Sequence, residues 1–248
     1  MKKIFFWLPN FITAMNLASG CTAVFLGIEG QLAWAAVLIG LASVFDFMDG
    51  FAARLLHSYS TIGKQLDSLS DLVSFGLAPA ALLMSLLQLS MFGTIRSIAT
   101  INATPIQWIF LFSVLIVPVA GAFRLAKFNI DTRQTENFLG LPIPSNALFF
   151  ASLALIVSIG QSAETNTLIL NQFNLIAAMI IFAALMISEV PMFSMKFKNL
   201  NWETNKFRFI FLAISLLLFL WLHLFAIPLI ILWYILLSVI SRLIQPSV

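Results

Sequence analysis

The stretch Asp46-Phe47-Met48-Asp49-Gly50-Phe51-Ala52-Ala53-Arg54, continued by Gly63-Lys64-Gln65-Leu66-Asp67-Ser68-Leu69-Ser70-Asp71, decides how this chain is read. Four carboxylates stand at the end of one apolar run and the start of the next. An ionised carboxylate at membrane depth costs about 3 kcal/mol or more. Four together also repel one another, so the cluster persists only where cations neutralise it. The chain as a whole is poor in charge: 61% of its 248 residues are hydrophobic and 9% charged. The mean hydropathy is +1.02. A soluble domain carries roughly 25% charged residues, and disorder needs low hydrophobicity with high charge. Both classes are excluded. A β-barrel would alternate over segments of about ten residues, and this chain has long unbroken apolar runs instead.

The expected fold is therefore all-α, a polytopic membrane bundle of about eight spans. The runs lie at 10–29, 31–53, 66–90, 106–126, 145–162, 171–190, 207–222 and 224–241, each close to the roughly 20 residues a spanning helix needs. The last two are separated only by His223 and Pro228, so they read equally as one long kinked span or as a tight hairpin. Eight spans place Lys2, Lys3, Arg54, Lys64, Arg124, Lys127, Arg133, Lys196, Lys198, Lys206, Arg208 and Arg242 on one side and Arg96 alone on the other. That bias predicts cytoplasmic termini and a cytoplasmic position for the aspartates. Residues 1–248 read as one membrane-embedded domain, with a catalytic core at about 8–150. A single cysteine, Cys21, rules out a disulfide framework within the chain.

Helical spacing gives the aspartates a geometry. Asp46 and Asp49 are i, i+3, with Ala53 one turn further on; Asp67 and Asp71 are i, i+4, with Gly63 one turn before. Each helix thus presents one polar stripe, and two antiparallel helices joined by the short 55–62 loop can bring the stripes together. The product is an all-oxygen site suited to Mg²⁺, Mn²⁺ or Ca²⁺ rather than Zn²⁺, with room for one or two ions. Gly50 and Gly63 let a bulky ligand approach the backbone. Asp49-Gly50 alone would pass for a turn, and Asp67 with Asp71 for carboxylates on a helix dipole. Both pairs together in a charge-poor chain argue for a site.

Every fixed position of Asp-x₂-Asp-Gly-x₂-Ala-Arg-x₈-Gly-x₃-Asp-x₃-Asp is present, and the chain resembles the CDP-alcohol phosphatidyltransferases. The resemblance implies a divalent-metal enzyme that displaces CMP from a CDP-activated lipid or alcohol. It implies Asp46, Asp49, Asp67 and Asp71 as metal ligands, two Mg²⁺ or Mn²⁺ ions, and Asp71 as general base. It also implies Gly50, Ala53, Arg54 and Gly63 around the CDP group. Two divalent ions can bridge pyrophosphate oxygens, and an arginine fork matches a phosphate. The motif offers no Ser, Cys or His nucleophile: Ser68 and Ser70 point away from the aspartate face, and His57 reads as a solvated loop residue.

Three other segments bear on the acceptor. Asn10, Thr13 and Asn16 repeat at i, i+3, i+6, a supporting polar stripe pointing inward from the first helix. Phe123-Arg124-Leu125-Ala126-Lys127-Phe128-Asn129 and Phe138-Leu139-Gly140-Leu141-Pro142-Ile143-Pro144-Ser145-Asn146-Ala147 are similar to stretches of the family's serine-accepting branch, with Lys127 where an arginine is usual. The resemblance covers about residues 8–150. It implies CDP-diacylglycerol and L-serine as substrates, phosphatidylserine and CMP as products, Arg124 and Asn129 as acceptor-binding residues, and a homodimer in the inner cell membrane. Glycerol 3-phosphate, inositol phosphate or choline would keep the chemistry and change the acceptor. Positive-inside anchoring is the plainer reading of Lys127 and Arg133. A transporter would hold its acids at midplane within repeats; these acids lie near one face, and no repeat is visible. No nucleic-acid partner is expected.

Overall fold

The computed structural model describes residues 7–58, 60–131, 138–160, 163–195 and 201–244. The cations Lys2, Lys3, Arg133, Lys196 and Lys198 lie outside the described residues. Helix α1 runs over Leu8–Ile28 and α2 over Leu32–Leu55, with the turn between them carried by Gly30 at φ +77°. Helix α3 is continuous over Thr61–Phe92. It starts earlier than the apolar run, because the Ser60 side chain caps it, accepting from the Gly63 N–H at 2.9 Å. Within it, Leu72–Leu77 form a π turn directly after Asp71. Gly93 closes it in the left-handed region at φ +68°, with its N–H on the Leu89 carbonyl.

Helix α4 spans Pro105–Ile130 and opens on a Thr104/Gln107 capping box. Then come α5 (Ile143–Ile159), the short α6 (Ala163–Ile169) and α7 (Gln172–Ile187). The 16 residues of α7 and 17 of α5 sit at the lower limit for a span. Their shared end is tied by a two-stranded antiparallel pairing of β1 (Phe138–Leu139) with β2 (Pro191–Met192). The Gly140 and Leu141 N–H groups extend it, donating to Val190 and Leu185 carbonyls at 2.9 Å each. Gly140 has φ +76°, and a Cβ there would meet the Met186 carbonyl at 2.6 Å, so this turn of the 138–147 motif requires glycine.

Helices α8 (Trp202–Leu222) and α9 (Ala226–Ile244) follow. The rings of Phe211 and Tyr234 lie 5.8 Å apart, and both pack on Phe193. One continuous helix would hold them about 35 Å apart. The two helices therefore form a hairpin that turns at His223, which has φ +50°, with Pro228 tolerated in the first turn of α9. The hairpin, not the kinked span, is the correct reading. The chain is all-α in character and multi-pass, the small β1–β2 pairing aside.

The centre of the bundle is α3. Phe75, Leu82, Leu83, Leu86 and Leu87 on it are fully buried. Its contact with α1 is close: a Cβ on Gly20 would fall on Ser74, and one on Gly27 would sit 3.2 Å from the Ala81 side chain. Three α3 hydroxyls donate to α1 carbonyls, Ser70 to Thr13 at 3.2 Å, Ser74 to Asn16 at 3.0 Å and Ser85 to Gly27 at 2.6 Å. In a medium without water every such group must find a protein partner, and this ladder fixes the register of α1 against α3. That register sets the site.

Candidate active site

Carboxylate oxygens of Asp46, Asp49 and Asp67 all lie within 4.8 Å of one another. Asp46 and Asp49 come from the last turns of α2, and Asp67 from the first turns of α3, as antiparallel neighbours require. Octahedral Mg²⁺ holds oxygens at about 2.0–2.1 Å, so opposite ligands stand about 4.2 Å apart and the spacing fits one shared cation. Asp71 is not part of this trio. It lies one turn deeper, buried, accepting from Asn16 Nδ2 at 3.3 Å, and it interacts electrostatically with Asp46, Asp67 and Asp49.

The polar stripe of α1 meets the motif residue by residue. Asn10 packs on Gly63, where a Cβ would stand 2.8 Å from its Oδ1. Thr13 Oγ1 is 2.6 Å from Asp49 Oδ2 and 3.0 Å from the Pro9 carbonyl, its two acceptors. Asn16 holds Asp71, and its own Oδ1 is buried without a hydrogen-bond partner, an acceptor pointing to a missing donor beside the acids.

A cavity of about 580 Å³ opens between α1, α2 and the start of α3. Asn10, Thr13, Asp49, Gly50, Ala53, Gly63 and Asp67 line it. Nothing lies within 4 Å of a Cβ built on Gly50, so that face is open to a ligand. Ser58, Ser60, Thr61 and Lys64 also line it, and sequence reasoning missed them. The Ser60-x-x-Gly63 cap was the available signal, since a capped start would have drawn α3 back to this point. Arg54 is exposed and is not among the lining residues. His57 is exposed, at φ +49°. Ser70 is turned away, onto Thr13.

A second cavity of about 310 Å³ lies where α4 meets the end of α7. Arg124, Lys127, Asp131 and Glu189 supply its charged lining. Arg124 is buried; its Nε donates to the Leu141 carbonyl and its guanidinium lies 6.0 Å from the Phe128 ring centre. The two sequence motifs at 123–129 and 138–147 are thus one structural unit. Arg124 also interacts electrostatically with Asp71 and Tyr234. Lys127 Nζ caps the Ile187 carbonyl at the end of α7 at 3.2 Å. Asn129 stands apart from Arg124: its Nδ2 donates to Ser68 Oγ at 2.9 Å, and its carbonyl accepts from Lys64 Nζ at 3.2 Å. It lines neither cavity.

With the acids, their α1 partners and two flanking cavities in place, the comparisons are specific. The CDP-alcohol phosphatidyltransferase family model matches residues 6–241, and the chain belongs to that family. It is 35% identical over 161 residues to an archaetidylserine synthase of Methanothermobacter thermautotrophicus, covering 62% of this chain and 61% of that protein. It is 33% identical over 168 residues to a CDP-diacylglycerol–serine O-phosphatidyltransferase of Mycobacterium leprae, covering 64% and 51%. A Helicobacter pylori protein of the same name is 28% identical over 210 residues, covering 84% and 80%. The chain thus spans only about half to three fifths of the length of the first two relatives. The family is divalent-metal dependent in general, and the trio of carboxylates is a group that can hold such an ion.

Proposed function

We propose that this chain transfers the phosphatidyl group of CDP-diacylglycerol to L-serine, giving phosphatidylserine and CMP. The observation that carries the reading is the three-carboxylate cluster on the family motif, opening on the larger cavity, with Asp71 in electrostatic reach of both the cluster and Arg124. The names of the relatives supply the donor and acceptor. Asp46, Asp49 and Asp67 would hold divalent cation, Mg²⁺ or Mn²⁺, with Asp71 as a further ligand and two ions as the expected complement. When bound there, the metal would offset pyrophosphate charge and polarise the phosphorus under attack.

The protein's own residues do the rest. Gly50, Ala53 and Gly63 leave the wall of the larger cavity open to the CDP group, with Lys64 at its edge and Arg54 at the end of α2. Asp71 accepts the serine hydroxyl proton; the serine oxygen bonds to the diacylglycerol-side phosphorus, and the bond from that phosphorus to the CMP oxygen breaks. Asn16 keeps the Asp71 carboxylate aimed by its hydrogen bond, and Thr13 does the same for Asp49. Arg124, at the smaller cavity, serves the acceptor side; Asn129, on the same helix but turned toward Ser68, joins it on the strength of the motif resemblance alone. The smaller cavity pairs Arg124 and Lys127 with Asp131 and Glu189. That balance suits a zwitterion such as serine better than a phosphorylated alcohol, which would call for uncompensated cations.

The domain is taken as 1–248 with its core at about 8–150, in the inner cell membrane as a homodimer. Both termini and the aspartates face the cytoplasm, on the strength of the lysine and arginine bias. The test is CMP release from CDP-diacylglycerol by the detergent-solubilised chain with Mg²⁺ or Mn²⁺. Serine, glycerol 3-phosphate, inositol phosphate and choline are offered separately. Serine-dependent release is expected. Release with another acceptor alone would overturn the serine assignment, and no release with any would overturn the transferase reading.

A further inference from the structure

At the end of the bundle opposite the aspartates a third cavity, of about 430 Å³, lies between α1, α3 and α4. Its floor is apolar, with Val24, Ile28, Leu77, Met84, Val114 and Leu115 among its lining. Four polar residues line it too: Gln88, Glu29, Arg96 and Ser97. The volume is within the roughly 300–1,000 Å³ usual for ligand sites.

Two observations mark it as more than a groove in the bundle surface. Gln88 is 3% exposed, and its Oε1 accepts the Arg96 backbone N–H at 2.8 Å. Its Nε2 makes no hydrogen bond to a described residue, which leaves that donor available to a ligand. Arg96 is the one cation that the sequence puts on this side, against the positive-inside bias. Its hydrogen bonds to described residues use the backbone N–H and Nε, the latter on Thr94 Oγ1 at 3.1 Å. An amide, a guanidinium and a carboxylate thus line an otherwise largely apolar cleft.

We propose that this cavity binds one zwitterionic phospholipid of the membrane leaflet opposite the active site. The lipid phosphate is held by Arg96 and the Gln88 amide, its ammonium by Glu29, and one acyl chain lies along the apolar floor. A zwitterionic head matches the paired charges, whereas an anionic head would face Glu29 unpaired. None of these residues touches the aspartates or either of the other cavities, so the proposal stands independently of the acceptor assignment.

The test is native mass spectrometry of the full chain, released from detergent after incubation with equal amounts of phosphatidylethanolamine and phosphatidylglycerol. One phosphatidylethanolamine per chain is expected to persist. Arg96→Gln and Gln88→Leu should each lower its retention about tenfold, the scale of one charge-assisted hydrogen bond. Glu29→Gln should shift the preference toward phosphatidylglycerol, and Asp49→Asn should leave retention unchanged. Arg96→Gln is a surface change that spares the fold, so its result stands even where the buried Gln88 variant expresses poorly. Retention untouched by the Arg96 variant would overturn the proposal. So would loss of the lipid on Asp49→Asn, which would assign it to the catalytic cavity, or a preference indifferent to Glu29→Gln.

Discussion

In α3, 72% of the most apolar eighteen-residue stretch is buried; in the C-terminal segment 202–243 the share is 6%. Both segments are strongly apolar, at mean hydropathies of 1.9 and 2.6, so hydrophobicity does not decide which helix occupies the centre. Polar atoms do. Helix α3 carries Ser70, Asp71, Ser74 and Ser85, all buried and all hydrogen-bonded to α1. The outer hairpin turns residues such as Trp221, 88% exposed, toward lipid. In hydrocarbon the apolar face gains nothing by leaving lipid for protein, and association follows close packing and hydrogen bonds.

Five substitutions probe that contrast, in descending size. Asp49→Asn should remove metal-dependent CMP release by about 10³-fold or more, the worth of several kcal/mol of charge stabilisation, while the protein still folds. Asp71→Asn should lower kcat by about 10²–10⁴-fold, the usual worth of a general base; full activity in that variant would move the base elsewhere. Gly20→Val should destabilise by about 1–3 kcal/mol through overpacking on Ser74, read as a lower Tm in detergent. Gly50→Ala, with open space around it, should leave Tm in place and raise KM for CDP-diacylglycerol. Trp221→Ala should change stability by no more than about 0.5 kcal/mol. A drop as large as that of Gly20→Val would mean that the hairpin is packed against a partner and would end the contrast.

What the sequence made legible follows the same division. The aspartate stripes were readable because two periodic helices joined by a short loop leave little choice of geometry, and the stripe Asn10, Thr13, Asn16 fell where its spacing predicted. The fold of the last forty residues was ambiguous because Leu, Ile and Phe look alike to lipid on every side; the Phe211–Tyr234 ring contact, with Phe193 packed on both, reveals the hairpin. The sequence pattern did not show how Arg124 and Asn129 diverge on α4: five residues rotate a side chain by about 140°, which carries Asn129 to Ser68. The π turn after Asp71 left no trace in composition. It follows from tertiary packing, as Gly76 passes against Pro118.

The serine ladder between α1 and α3 bears on how the protein is put together. Helix α1 is complete before α3 has been synthesised, with the whole of α2 between them. Its carbonyls at Thr13 and Asn16 are already bonded within their own helix and that of Gly27 accepts from Gly30 in the turn that follows, so these three acceptors wait in lipid already met. A serine in a newly inserted helix can in turn rest on its own i−4 carbonyl. Docking then requires only that each hydroxyl rotate from its own helix to the next. The central joint of the molecule closes by exchange of one hydrogen bond for another, and none of these three hydroxyls has to stand bare in the bilayer on the way.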